Sequence, residues 1–159
     1  MEYWKNDKEY MDLVKDILNI DEFQQLKNYK HHGDNRLNHC IRASYKSYKV
    51  TKKLKLRYKE VARAALLHDF FLVNNQEISI FERIKVLIIH PSIAVTNAKK
   101  YVELNKFEEN IIRSHMFPVN PTLPRYFESV LVDLIDDYVS IYERCFTIKN
   151  SIVKLFNRK

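Results

Sequence analysis

A chain of 159 residues is long enough to bury one core, and its single glycine excludes the glycine-rich loops that cradle phosphate in nucleotide-binding α/β folds. So little glycine also disfavours tight hairpins, so the composition predicts an all-α protein. The net charge of +7 favours anionic partners. No apolar run approaches the ~20 residues of a membrane span, no signal-type segment opens the chain, and Cys40 and Cys145 form no CxxC pair. Together these features predict one cytoplasmic domain over 1–159.

In chain order, residues 3–18 are predicted as an amphipathic helix with Tyr10, Leu13, Val14 and Ile17 on one stripe. Asp21 is placed to cap a short second helix through Lys27. NYKHHGDN (28–35) is polar, holds the only glycine and reads as a loop, with His31 and His32 a solvent-exposed pair. A long helix from Arg36 to Leu54 follows, then one from Tyr58 to Asp69 in which Val61, Ala64, Ala65 and His68 keep helical spacing. NNQEIS (74–79) is a loop, and residues 80–89 fit either a helix or a short buried strand. Pro91 suits the first turn of a helix to Leu104, and a short helix covers Phe107–Ser114. FPVNPTLP (117–124), with three prolines, excludes regular structure. A helix over Arg125–Arg144 and a last basic helix over 147–157 complete the chain.

Charge is uneven along this order. Residues 42–63 carry nine Lys or Arg against Glu60 alone, and 144–159 carry five basic residues and no acid. A solvated helix face is the plainer reading of 42–63, and a nucleic-acid surface the sharper one.

His39, His68, His90 and His115 all fall near predicted helix ends, and Asp69 follows His68 directly inside the apolar run AALLHDFFLV. A single histidine on an apolar face is ordinarily a hydrogen-bonded core residue. Four of them with an attached carboxylate point to a divalent metal, whose charge would offset the cost of burying Asp69. VDLIDDY adds Asp133, Asp136 and Asp137 on the last long helix. There the main apolar stripe runs through Val130, Leu134, Tyr138 and Ile141, and periodicity alone selects Asp137 as the carboxylate nearest the core.

The order His39…His68-Asp69…His90…His115…Asp136, with NRLNHCIRASY, ARAALLHDF, IIHPSIAVTNA and IIRSHMFP around it, resembles the HD-domain superfamily of metal-dependent phosphohydrolases. The resemblance covers roughly 29–143 and implies an all-α bundle of about seven to nine helices. Residues 1–28 would be N-terminal helices, and 144–159 a basic C-terminal one. It implies that His39, His68, Asp69 and Asp136 bind one divalent ion and that His90 and His115 hold a second, with Asp69 bridging. The family pattern thus selects Asp136 where periodicity selects Asp137. Imidazole-rich ligands favour Fe, Mn or Zn over Mg. The implied reaction is hydroxide attack on a phosphate ester or a nucleotide or dinucleotide polyphosphate at a dinuclear centre, with Asp69 and Arg36 as catalytic residues. Arg36, one turn before His39, is the first candidate to hold phosphate, ahead of Arg83, Arg113 and Arg125. The substrate would be a small phosphorylated or nucleotide molecule.

Where many hydrolytic members read His-Asp-x-Gly-Lys, this chain reads His68-Asp69-Phe70-Phe71-Leu72. That departure carries the alternative, a di-iron oxygenase of a small alcohol or phosphonate. A non-catalytic basic nucleic-acid module is the third reading.

Overall fold

The computed structural model describes residues 3–31, 33–73 and 79–156, so His32 and most of the 74–79 loop lie outside the described residues. The fold is all-α, with one two-stranded hairpin. In chain order the elements are α1 (Lys8–Leu18), α2 (Asp21–Gln24), β1 (Lys30–His31), β2 (Asp34–Asn35), α3 (Arg36–Lys53), α4 (Tyr58–Leu67), α5 (Ile80–Ala98), α6 (Lys106–Ser114) and α7 (Phe127–Phe156).

The centre of the bundle is α4. Val61, Ala62, Ala64, Ala65, Leu66 and Leu67 are all buried, so past its first turn only Arg63 of this helix reaches toward solvent. Its alanines let neighbouring backbones approach closely. Ser44 of α3 donates to the Ala62 carbonyl at 2.6 Å, and Tyr10 of α1 donates to Ser44 at 2.8 Å, so a polar thread ties three helices through the core. Arg63 fastens α4 to α1 from outside, with two 2.8 Å bonds to Asp16 and one of 2.7 Å to the Leu13 carbonyl. The expected α1 stripe is the buried one: Tyr10, Val14 and Ile17 lie in the core.

Several elements differ from expectation. The 28–35 stretch closes as a small antiparallel hairpin, pairing Lys30 with Asn35 and His31 with Asp34. Gly33 makes this possible at φ +96°, in the left-handed region open to glycine. The 80–89 segment and the Pro91 helix are one helix, α5, which ends at Ala98 instead of Leu104. Pro91 removes one hydrogen bond inside α5, and Asn120 donates to the nearby Ile88 carbonyl at 2.6 Å. The last two predicted helices are likewise one, because α7 runs unbroken through 144 to Phe156.

α4 ends at Leu67, two residues early, so His68 and Asp69 sit in the turn that follows. No helix is long and apolar enough to cross a membrane among the described residues.

Candidate metal centre

His68 and His115 are placed by the same local device. Each occupies the C-cap position of its helix, α4 or α6, where carbonyls lack helical partners. His68 Nδ1 donates to Ala65 O at 2.8 Å, and His115 Nδ1 to Ile112 O at 2.7 Å. His90, on α5 before Pro91, turns Nδ1 toward Val86 O at 3.2 Å. His39, in the first turns of α3, turns Nδ1 toward the Glu143 carboxylate at 3.1 Å. All four imidazoles therefore have an acceptor at Nδ1, which leaves the Nε2 lone pairs pointing inward.

These Nε2 atoms converge on two buried carboxylates. Asp136 Oδ1 lies 2.8 Å from His39 Nε2 and 3.3 Å from His68 Nε2. Asp69 Oδ1 lies 3.2 Å from His90 Nε2 and 3.7 Å from His115 Nε2. The structure thus brings His39, His68, Asp69, His90, His115 and Asp136 together. It also distinguishes the neighbouring carboxylates, since Asp136 is buried in the cluster and Asp137 is exposed.

The donors fit a metal on their own chemistry. His90 Nε2 and His115 Nε2 face each other at 3.0 Å, so two lone pairs meet unless a cation stands at that point. His68 Nε2 and Asp136 Oδ1 are buried and complete no hydrogen bond despite their separation. Imidazole nitrogen mixed with carboxylate oxygen is a donor set for first-row divalent ions.

Without a metal, protons supply the missing charge. Burial alone would raise Asp69, but His68, His115 and His90 hold it well below the usual carboxylate range. Burial is likewise outweighed at Asp136 by His68 and His39. Burial works to lower His39, yet Asp136 and Glu143 push it up to about 10. Burial, with His68 and His90 nearby, keeps His115 below its ordinary value.

Arg36 lies buried beside the cluster. Its Nη1 donates to Phe71 O at 2.5 Å, its Nη2 reaches Val73 O at 3.4 Å, and its guanidinium stacks 3.7 Å from the Phe71 ring centroid. Its Nε stands 4.0 Å from Asp69 Oδ2. Two of its donor nitrogens are thus turned to backbone carbonyls, while Nε completes no hydrogen bond. Phe71 stands between Arg36, which stacks on it, and the His90 ring, 4.8 Å away. Arg113 pairs with Ser92 and Glu109, and Arg83 and Arg125 are exposed.

A match to the family model described as HD domain spans residues 36–156. The chain belongs to the HD-domain family. Members of that family are generally metal-dependent hydrolases, and the buried His/Asp cluster of this HD domain is consistent with a metal site. No curated protein and no solved structure gives a significant match.

Three further residues stand at the cluster: Glu143 and Arg42, which went unread as site residues in the sequence, and His31, which was read as exposed. Glu143 lies seven residues after Asp136, two turns along the same face of α7, and that spacing was the available signal. Arg42 donates to Glu143 Oε1 at 2.5 Å and also pairs with Asp34 of the hairpin. His31, expected to be exposed, has its Nε2 3.6 Å from Asp69 Oδ2.

Proposed function

We propose that this HD domain is a phosphohydrolase with a dinuclear centre, acting on a phosphate ester or a nucleotide or dinucleotide polyphosphate. The observation that carries the reading is Asp69, whose buried carboxylate is reached by two imidazoles while a second set closes on Asp136. His39, His68 and Asp136 would hold one ion, and His90 and His115 the other. Asp69 would bridge them. Fe, Mn or Zn suits these donors better than Mg.

Two such ions, when bound, activate water as a nucleophile and polarise a phosphoryl oxygen. The chain's own groups prepare that site. The carbonyls of Ala65, Val86 and Ile112 and the carboxylate of Glu143 keep the four Nδ1 protons in place and the Nε2 atoms aimed inward. Arg36 acts as a positioning residue that braces Asp69 and the 71–73 segment. Phe71 walls the centre beside His90 and excludes water there.

Metal analysis of the isolated protein, run with a panel of phosphate esters and dinucleotide polyphosphates, tests this. Two equivalents of metal with turnover support it. Two equivalents with no turnover across the panel would count against hydrolysis. Phe71 and Leu72 in place of Gly-Lys keep the di-iron oxygenase as the second reading, which requires iron and oxygen consumption. The nucleic-acid module is less favoured, because Arg42, Lys49, Lys52, Arg57 and Arg63 in the basic stretch all pair with carboxylates of this chain.

A further inference from the structure

Asp69 divides its oxygens between two sides of the centre. Oδ1 faces His90 and His115, while Oδ2 faces the hairpin, with His31 Nε2 at 3.6 Å. The His31 ring packs on His39 with centroids 4.3 Å apart. One donor atom each from His31, His39 and Asp69 falls within 4.8 Å of the other two, a span that one ion can bridge. The hairpin is also anchored in place. Asp34 pairs with Arg42, which bonds Glu143, which receives His39 Nδ1. Movement of the hairpin would therefore be felt at His39.

We propose that His31 is a seventh ligand of the centre, joining His39 and Asp69 on the first ion; this rests on the dinuclear reading above. The two ions then differ sharply. The first has five protein donors, from His31, His39, His68, Asp69 and Asp136. The second has three, from His90, His115 and Asp69. More donors mean tighter binding and fewer open positions, so the second ion is the more open one and the place for a substrate oxygen. His31 is also the most exposed imidazole of the centre, 18% against 5% or less for the others, so it closes the first ion on its solvent side.

The test is metal titration of the chelator-stripped protein with Mn²⁺, and the visible spectrum of the Co²⁺ form, for wild type, His31→Ala, His31→Gln and His68→Ala. The expected result is two ions in wild type. Both His31 variants should still take two ions, with the tighter step weakened at least about tenfold and more intense Co²⁺ bands as coordination falls. Added imidazole should partly restore the His31→Ala affinity. Unchanged affinity and spectrum in both folded His31 variants overturns the assignment and leaves the dinuclear centre standing. Failure of wild type to bind two ions, or full binding by His68→Ala, overturns the centre itself.

A separate observation concerns α7. Phe127, Leu131, Leu134, Tyr138, Ile141, Cys145 and Ile148 follow one another at alternating intervals of four and three, the 3.5-residue period of a coiled-coil seam. The bundle does not bury this stripe: it buries Val132, Ile135, Asp136, Val139 and Glu143 instead. Phe127, Leu134, Tyr138, Ile141, Tyr142 and Ile148 each remain more than half exposed. At roughly 100 Å² apiece they approach the ~800 Å² per partner of a stable interface.

We infer that α7 pairs with α7 of a second copy, antiparallel. In the register that layers Tyr138 on Ile141 and Leu134 on Cys145 of the second copy, Asp137 of each chain faces Arg144 of the other. A parallel pair would set Asp137 against Tyr142, with no charge partner. Sedimentation of the full chain at micromolar concentration should show a dimer. Leu134→Glu/Ile141→Glu should be monomeric with unchanged helicity. Asp137→Arg alone should weaken the dimer, and Asp137→Arg/Arg144→Asp should restore it. A monomeric wild type, or a charge swap that restores nothing, overturns the pairing.

Discussion

Glu143 reaches His39 across the α3–α7 contact, with Oε2 3.1 Å from Nδ1, while its other oxygen takes Arg42 at 2.5 Å. The carboxylate is buried and so acts on the imidazole without screening by water. It fixes the His39 tautomer and strengthens Nε2 as a donor. Glu143→Gln preserves shape but removes the charge. Its metal affinity, measured by Mn²⁺ titration, should fall about 10–100-fold while the helical spectrum is retained. Full affinity would mean that Glu143 only packs.

Asp69→Asn tests the bridge. An amide has one oxygen to offer and no charge, so it cannot balance two ions. Elemental analysis should find the stoichiometry reduced from two to one or none. The metal-free protein should also lose stability, because the imidazoles now held opposite Asp69 would lack their anion. A variant that retains two ions would remove Asp69 from the bridging role.

The histidines and the His68-Asp69 pair were legible in the sequence because His and Asp in apolar helix ends are rare and costly, while their order as a candidate ligand set came from the resemblance to the HD-domain pattern. His39, His68, His90 and His115 were read from position alone and do converge. Glu143 was not read and His31 was read as an exposed loop residue, for different physical reasons. Glu143 is one acid among many on a charged chain, and two-residue strands around His31 leave no periodic trace. Periodicity alone pointed to the exposed Asp137, because the more apolar face of α7 is the one turned outward, whereas the family pattern selected Asp136, which is buried in the cluster. The buried face is marked only by Val132, Ile135 and Val139.

His39 sets a pH dependence of the metal-free protein. Asp136 and Glu143, working against burial, push its pKa up to about 10, above the ~6.5 of an unfolded chain. A raised folded pKa stabilises fully below the unfolded value. That contribution is therefore present below pH ~6.5 and lost as pH rises toward 10. Thermal melts of chelator-stripped protein should show Tm falling over that window. Metal affinity should move the opposite way, rising with pH as protons leave Nε2. A metal-free Tm that is flat over this range would refute the coupling.

Arg36→Ala should be among the most destabilising single changes. It leaves the Phe71 carbonyl and Asp69 without their buried cation and opens a space beside Phe71. The cost is about 3 kcal/mol by denaturant unfolding. Arg36→Lys should recover little, because an ammonium cannot stack on Phe71 and bond two carbonyls together. If Arg36→Ala kept full stability and lost only phosphate affinity, Arg36 would be a substrate residue and not a brace.

Gly33 links the hairpin to α7. Its φ is +96°, and an added Cβ would stand 1.9 Å from Thr147 Oγ1. Gly33→Ala thus carries two separable penalties, backbone strain and a steric one. Together they should cost about 2–3 kcal/mol. Thr147→Ala in the same chain should relieve only part of the steric penalty, because Cβ of residue 147 would still stand 2.8 Å from the added Cβ, and the backbone strain of about 1 kcal/mol would remain in full. Because the hairpin carries His31 and Asp34, Gly33→Ala should also weaken metal binding more than its stability loss alone accounts for. Metal affinity unchanged in a folded Gly33→Ala protein would show that the hairpin is independent of the centre.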